Sequence, residues 1–73
     1  MKVFYTPVIN GEYAELAKRR VADIPDAEAY KTVERLIGQT GVDELDSRGW
    51  TKIKASAFDA NQSGYFTYQQ DEL

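Results

Sequence analysis

Trp50–Thr51–Lys52–Ile53–Lys54–Ala55–Ser56–Ala57–Phe58, followed after a polar turn by Tyr65–Phe66–Thr67–Tyr68–Gln69, is the stretch that decides the fold of this chain. Thr51, Ile53, Ala55 and Ala57 alternate with Trp50, Lys52, Lys54 and Ser56, which is the period of a strand with one buried face. Tyr65 to Tyr68 is a run of β-favouring residue types. Between the two lies Asp59–Ala60–Asn61–Gln62–Ser63–Gly64, whose residues bond their own backbone or tolerate positive φ. The reading is an antiparallel hairpin. A lone hairpin is marginal in water, so the rest of the chain has to supply another strand and a cover.

The N-terminal segment supplies the strand. Lys2–Ile9 carries Val3, Tyr5 and Ile9 on one face and Phe4, Thr6 and Val8 on the other. Pro7 cannot donate to a ladder, which puts it at an edge or a strand end. Asn10–Gly11 breaks the run. From Glu12 to Arg20 the spacing of Tyr13, Leu16, Ala17 and Val21 predicts a helix, acidic at its start and closed by Lys18–Arg19–Arg20. Pro25 ends that segment, because the residue before proline avoids helical backbone. A second helix is expected from Asp26 to Ile37, with Tyr30, Val33, Leu36 and Ile37 inside and Gly38 at its close. Thr40–Gly41–Val42–Asp43 has the form of a capping box and starts a short third helix, Val42 to Arg48, anchored by Val42 and Leu45 and ended by Gly49. The expected architecture is one α+β domain over residues 1–73: a small three-stranded antiparallel sheet, N-terminal strand plus C-terminal hairpin, packed against two to three helices.

Composition narrows the function classes. Seventy-three residues without cysteine or histidine make a small domain with no disulfide and without the usual zinc ligands and general base. No apolar run has the length of a signal peptide or a membrane span, so a soluble, cytoplasmic protein is expected. Nine Lys and Arg against twelve Asp and Glu give a net charge of −3. That balance repels phosphate backbones unless cations cluster, and favours a protein partner over nucleic acid. A helix-turn-helix reading of Tyr13–Arg20 and Asp26–Ile37 fails on charge, since the second helix opens with Asp26–Ala27–Glu28–Ala29.

Asp59, Asn61, Ser63 and Gly64 match the first half of an EF-hand loop, but Gln70 stands where a bidentate Glu belongs and both flanks are strand-like. Turn chemistry accounts for these residues, and no metal or other cofactor is expected. Asp43, Glu44 and Asp46 spread around a helix surface instead of pairing, so no catalytic centre is expected either. Nine aromatic residues exceed what so small a core can bury. Tyr13, Tyr30 and Phe66 are assigned to the core, while some of Tyr5, Trp50, Tyr65 and Tyr68 should reach the surface as contact anchors. With Lys52 and Lys54 on the face of Trp50, the candidate protein-binding residues are Phe4, Tyr5, Lys52, Lys54, Tyr65 and Tyr68.

In length and in its order of strand, helices and hairpin, the chain resembles the small regulators by which lytic phages, one of Xanthomonas among them, bind their host's RNA polymerase. The likeness spans Met1–Lys2–Val3–Phe4–Tyr5 through Gln70–Asp71–Glu72–Leu73. It rests on size and overall character, and it carries over no individual functional residue. It implies a monomeric, non-enzymatic protein that contacts the large polymerase subunits, displaces the sigma factor, inhibits initiation and promotes antitermination. The same residues also suit an antitoxin, an anti-CRISPR protein, or an inhibitor whose Asp43, Glu44 and Asp46 mimic phosphate.

Overall fold

A computed structural model describes residues 1–70. The strands are β1 (Lys2–Thr6), β2 (Val8–Ile9), β3 (Glu12–Tyr13), β4 (Arg19–Asp23), β5 (Trp50–Lys54) and β6 (Tyr65–Gln69), with one helical element, α1 (Asp26–Arg48), between β4 and β5. The fold is α+β. Its main sheet has four strands in the order β4-β1-β6-β5, and β2 and β3 form a separate two-stranded arm. Every pairing is antiparallel.

The C-terminal hairpin is as the alternation implied: Trp50 pairs with Gln69, Lys52 with Thr67 and Lys54 with Tyr65. Its first strand is shorter than expected. The Ala55 N–H bonds the Gly64 carbonyl, and the Phe58 and Asp59 N–H groups both turn back to the Ala55 carbonyl, so Ala55–Ala57 is a 3-10 turn. β1 pairs with β6 along its full length and stops just before Pro7, which has no N–H to continue the ladder.

Two expectations are corrected. The first concerns residues 12–20, which form no α-helix. Asn10 and Gly11 both have positive φ, 54° and 79°, the backbone of a tight two-residue hairpin turn, and they fold β3 back onto β2. After a 3-10 turn at Glu15–Ala17 the chain runs out as β4 and pairs with the open edge of β1, which makes four strands instead of three. The supposed inner stripe is not inside: Tyr13 is 50%, Leu16 105% and Val21 46% exposed.

The second correction concerns helix count. Asp26–Arg48 is one kinked element, in place of two to three helices, with the kink at Gly38 (φ 73°, ψ −160°). The glycine expected to close the second helix is thus where the backbone bends. Gly49, in left-handed conformation, ends the element with its N–H on the Leu45 carbonyl. Ala29 and Val33 before the kink and Leu45 after it pack with Met1, Val3, Ile53 and Tyr68 into the core. Burying Val33, Leu45 or Ile53 contributes about 1.5–3 kcal/mol each.

Polar contacts lock this layer in place. The Met1 ammonium lies 3.2 Å from Asp23 and 3.0 Å from Asp26, clasping β1 to β4 and to the acidic start of α1. Those carboxylates raise its pKa, Asp26 most. At the other end the buried Thr51 hydroxyl donates to Glu44 at 2.6 Å, which Arg48 also bridges at 2.9 Å. No helix of the described residues is long and apolar enough to cross a membrane.

Candidate functional site

Strand pairing sorts the side chains by face. Val3, Tyr68 and Thr51 share one rung, and Tyr5, Phe66 and Ile53 another; these point toward α1. The intervening rungs, Lys2–Gln69–Trp50, Phe4–Thr67–Lys52 and Thr6–Tyr65–Lys54, project from the opposite, outer face. Among the described residues no α-helix covers that face. The β2–β3 arm and the turn after it reach over only one end: Tyr13 meets the Tyr65 ring edge-on at 4.9 Å, and the Tyr65 hydroxyl donates to Glu15.

What remains open is basic and aromatic. Lys52 Nζ sits 4.5 Å from the centre of the Tyr65 ring and 5.7 Å from that of Trp50. The Arg48 guanidinium stacks on Trp50 at 3.7 Å, and Lys18 lies 5.0 Å from the Phe4 ring. Cations over aromatic faces hold both in place without neutralising the charge. A groove of about 350 Å³ runs between Glu15, Lys18, Trp50, Lys52, Tyr65, Thr67 and Gln69. A second, of about 300 Å³, lies beyond Lys52 against Lys54 and Tyr13. Leu16 projects wholly into solvent from the turn that bears Glu15.

The structure brings together four of the six expected contact residues. Phe4, Lys52, Lys54 and Tyr65 share the outer face, although Tyr65 is only 5% exposed and presents little beyond its ring. Tyr5 and Tyr68 lie on the helix side. The Tyr5 hydroxyl donates to the Ser63 carbonyl at 2.7 Å and its ring packs on Phe66, so its contacts tie β1 to the loop before β6. Tyr68 is buried in the core, and that burial pushes its phenol above the ordinary pKa. Their place off the outer face follows from the two-residue period, which puts neighbouring residues of a strand on opposite faces. Reading the sequence missed Leu16 and Thr67, and it took Lys18 only as part of the basic cluster Lys18–Arg19–Arg20 on an expected helix. Thr67 was legible in principle, as the residue between Phe66 and Tyr68, once those two are assigned inward.

The acidic residues are engaged within the chain. Asp43 accepts from Gln39, Glu44 from Thr51 and Arg48, and Asp46 from the Tyr30 hydroxyl. Burial and Asp46 together raise the Tyr30 pKa. In the Asp59–Gly64 loop, Asp59 accepts from the Asn61 N–H and its carbonyl from the Gln62 N–H, and Gln70 donates its amide to Tyr30. These contacts are turn and packing chemistry. Comparison with protein families, curated proteins and solved structures gave no match to this chain.

Proposed function

We propose that this chain is a non-enzymatic, protein-binding regulator that docks through the outer face of its sheet. One observation carries the reading: in a chain of net charge −3, the sheet face that no helix covers carries Lys18, Lys52 and Lys54 beside Phe4 and Trp50, with Leu16 at its rim. Among the described residues none of these lysines is ion-paired. Basic groups next to rigid aromatics suit an acidic protein surface, where the rings supply contact area and the charges steer approach.

The whole-chain resemblance names the partner: host RNA polymerase, bound by a monomer in the bacterial cytoplasm through contacts to the large subunits. The outcome is blocked initiation and read-through of terminators. The phosphate-mimic reading is weaker, because Asp43, Glu44 and Asp46 already serve contacts within the fold.

Purified bacterial polymerase with labelled chain tests this, with promoter run-off and terminator assays alongside. Lys52→Glu with Lys54→Glu should weaken binding and both transcriptional effects by about tenfold or more, while Asp43→Lys should leave them. No binding by the unaltered chain, or loss through Asp43→Lys alone, would rule the reading out.

A further inference from the structure

The main sheet has two edges, and they differ in what they allow. In the order β4-β1-β6-β5, β4 pairs with β1 alone, and among the described residues no strand pairs with its other side. All five β4 residues are exposed. An edge of this kind is a template for a further strand. β5, the opposite edge, repels its own copy: antiparallel pairing over its full length would set Lys52 against Lys52. β4 carries the reverse pattern. Its register against β1 skips a residue, with Ala22 opposite Val3, Arg20 opposite Phe4, and Val21 bulged between them. Arg20 and Asp23 thereby fall on the outer face, with Phe4 and Lys2. Val21 and Ala22 fall on the helix side, where they line an apolar groove of about 250 Å³ with Val3, Ile24, Phe58 and Phe66. α1 packs mainly on β5, away from this groove.

Turned antiparallel against itself, Arg20–Val21–Ala22–Asp23 is self-complementary. Arg20 lies opposite the second copy's Asp23 on the outer face, and Asp23 opposite the second copy's Arg20. Val21 and Ala22 meet on the helix side, where each extends the apolar groove of the other copy. The Asp23 side chain is 59% exposed, and it shares the single Met1 ammonium with Asp26, which leaves one negative charge over at that end of the strand. We propose that β4 is the seam of a symmetric dimer, pairing antiparallel with β4 of a second copy and joining two four-stranded sheets. One short strand from each chain falls well below a standard interface of about 1,200–2,000 Å², so a dissociation constant on the order of 100 µM is expected. The dimer is a state of the free chain at high concentration. It goes beyond the docking reading, which concerns the monomer and other residues, so either can fail alone.

Sedimentation equilibrium and amide spectra of the isotope-labelled chain, taken from about 10 µM to about 1 mM, bracket that constant. The mass should rise toward a dimer, with concentration-dependent shifts centred on Arg19–Asp23 and not on β5. Arg20→Asp should weaken pairing by about tenfold or more, because it sets like charges together at both ends of the seam. Arg20→Lys should retain it. Asp23→Arg should stay monomeric by itself, and an equimolar mixture of Arg20→Asp and Asp23→Arg should associate again, since each supplies the sign the other lacks. Asp26 still holds Met1 in Asp23→Arg, and its amide spectrum reports whether it is folded. If it is not, the two Arg20 variants decide alone. A parent chain that stays monomeric at about 1 mM overturns the assignment. So does a dimer that tolerates Arg20→Asp, or a pair of folded, complementary variants that do not associate on mixing. A dimer lost through Phe58→Ser but kept in Arg20→Asp would place the contact in the groove and overturn the strand seam as well.

Discussion

At the scale of single residues, the sharpest constraint is Gly64. Its φ of +90° is disfavoured for L-residues, and a Cβ there would strike the Thr6 carbonyl oxygen and crowd the Tyr5 ring at 3.0 Å. Gly64→Ala is expected to destabilise the fold by about 2–4 kcal/mol, from strained backbone plus overpacking against main chain. Chemical denaturation would show it as a lower midpoint at unchanged slope. An unchanged midpoint would mean the loop is free to relax. Tyr68 gives a second residue-scale prediction. Burial raises its pKa above 10.0, and Tyr30 shifts the same way. Below that pH both phenols are neutral whether the chain is folded or not, so they add no pH slope. Above it the unfolded chain releases protons that the folded chain retains, and stability falls as pH rises through the folded values. Tyr68→Phe should flatten this alkaline loss, and denaturation midpoints on either side of pH 10 would measure it. An identical slope in the variant would remove Tyr68 from the account.

At the scale of elements, the kink in α1 depends on one residue. Gly38 adopts φ 73° with ψ −160°, a combination open in practice only to glycine, while its surroundings leave space for a side chain. Gly38→Ala should therefore cost about 1–3 kcal/mol through backbone strain alone. If unfolding is unaffected, the kink is not held as described. The same element shows what could be read from sequence. Gly38 and Gly49 marked its bend and its end because glycine at a helix terminus has a backbone reason, and Pro25 marked its start. The C-terminal hairpin was legible because Thr51, Ile53 and Ala55 are buried and the residues between them are less so. β4 was not legible, for a physical reason: all five of its residues are exposed, so no alternation betrays a strand. What remained was an accidental helical spacing of Tyr13, Leu16, Ala17 and Val21. The counter-signal was Asn10–Gly11, a hairpin turn pair whose meaning depends on strands on both sides. The candidate face was half legible. Alternation grouped Trp50, Lys52 and Lys54, but which face α1 covers is a tertiary fact, and Lys18 reaches the groove only through the unforeseen arm.

At the scale of the whole molecule, charge and its distribution point in different directions. The chain is acidic in total, yet the sheet face away from α1 carries Lys18, Lys52 and Lys54, none of them ion-paired among the described residues, while Asp23 and Asp26 are drawn to the Met1 ammonium and Glu44 to Arg48. A partner that met this molecule at random orientation would feel net negative charge at long range and local positive charge close in. Salt separates the two, because screening at about 0.15 M confines exposed charges to roughly 8 Å. If docking uses the lysine face, association with an acidic partner should slow as salt rises, with dissociation less affected. Lys52→Glu with Lys54→Glu should reverse the sign of that dependence and weaken binding by about tenfold or more. Folding should be unaffected, since both side chains are exposed. Stopped-flow association with purified polymerase at several salt concentrations measures all of this. An association rate that is flat in salt, or a double variant indistinguishable from the parent, would place the contact on another surface. The exposed apolar residues Val21 of β4 and Phe58 would then be the next candidates, because they line a largely apolar groove of about 250 Å³ with Val3, Ile24, Phe66 and Tyr68. Binding there would rise or hold with salt, the opposite of what the lysine face requires.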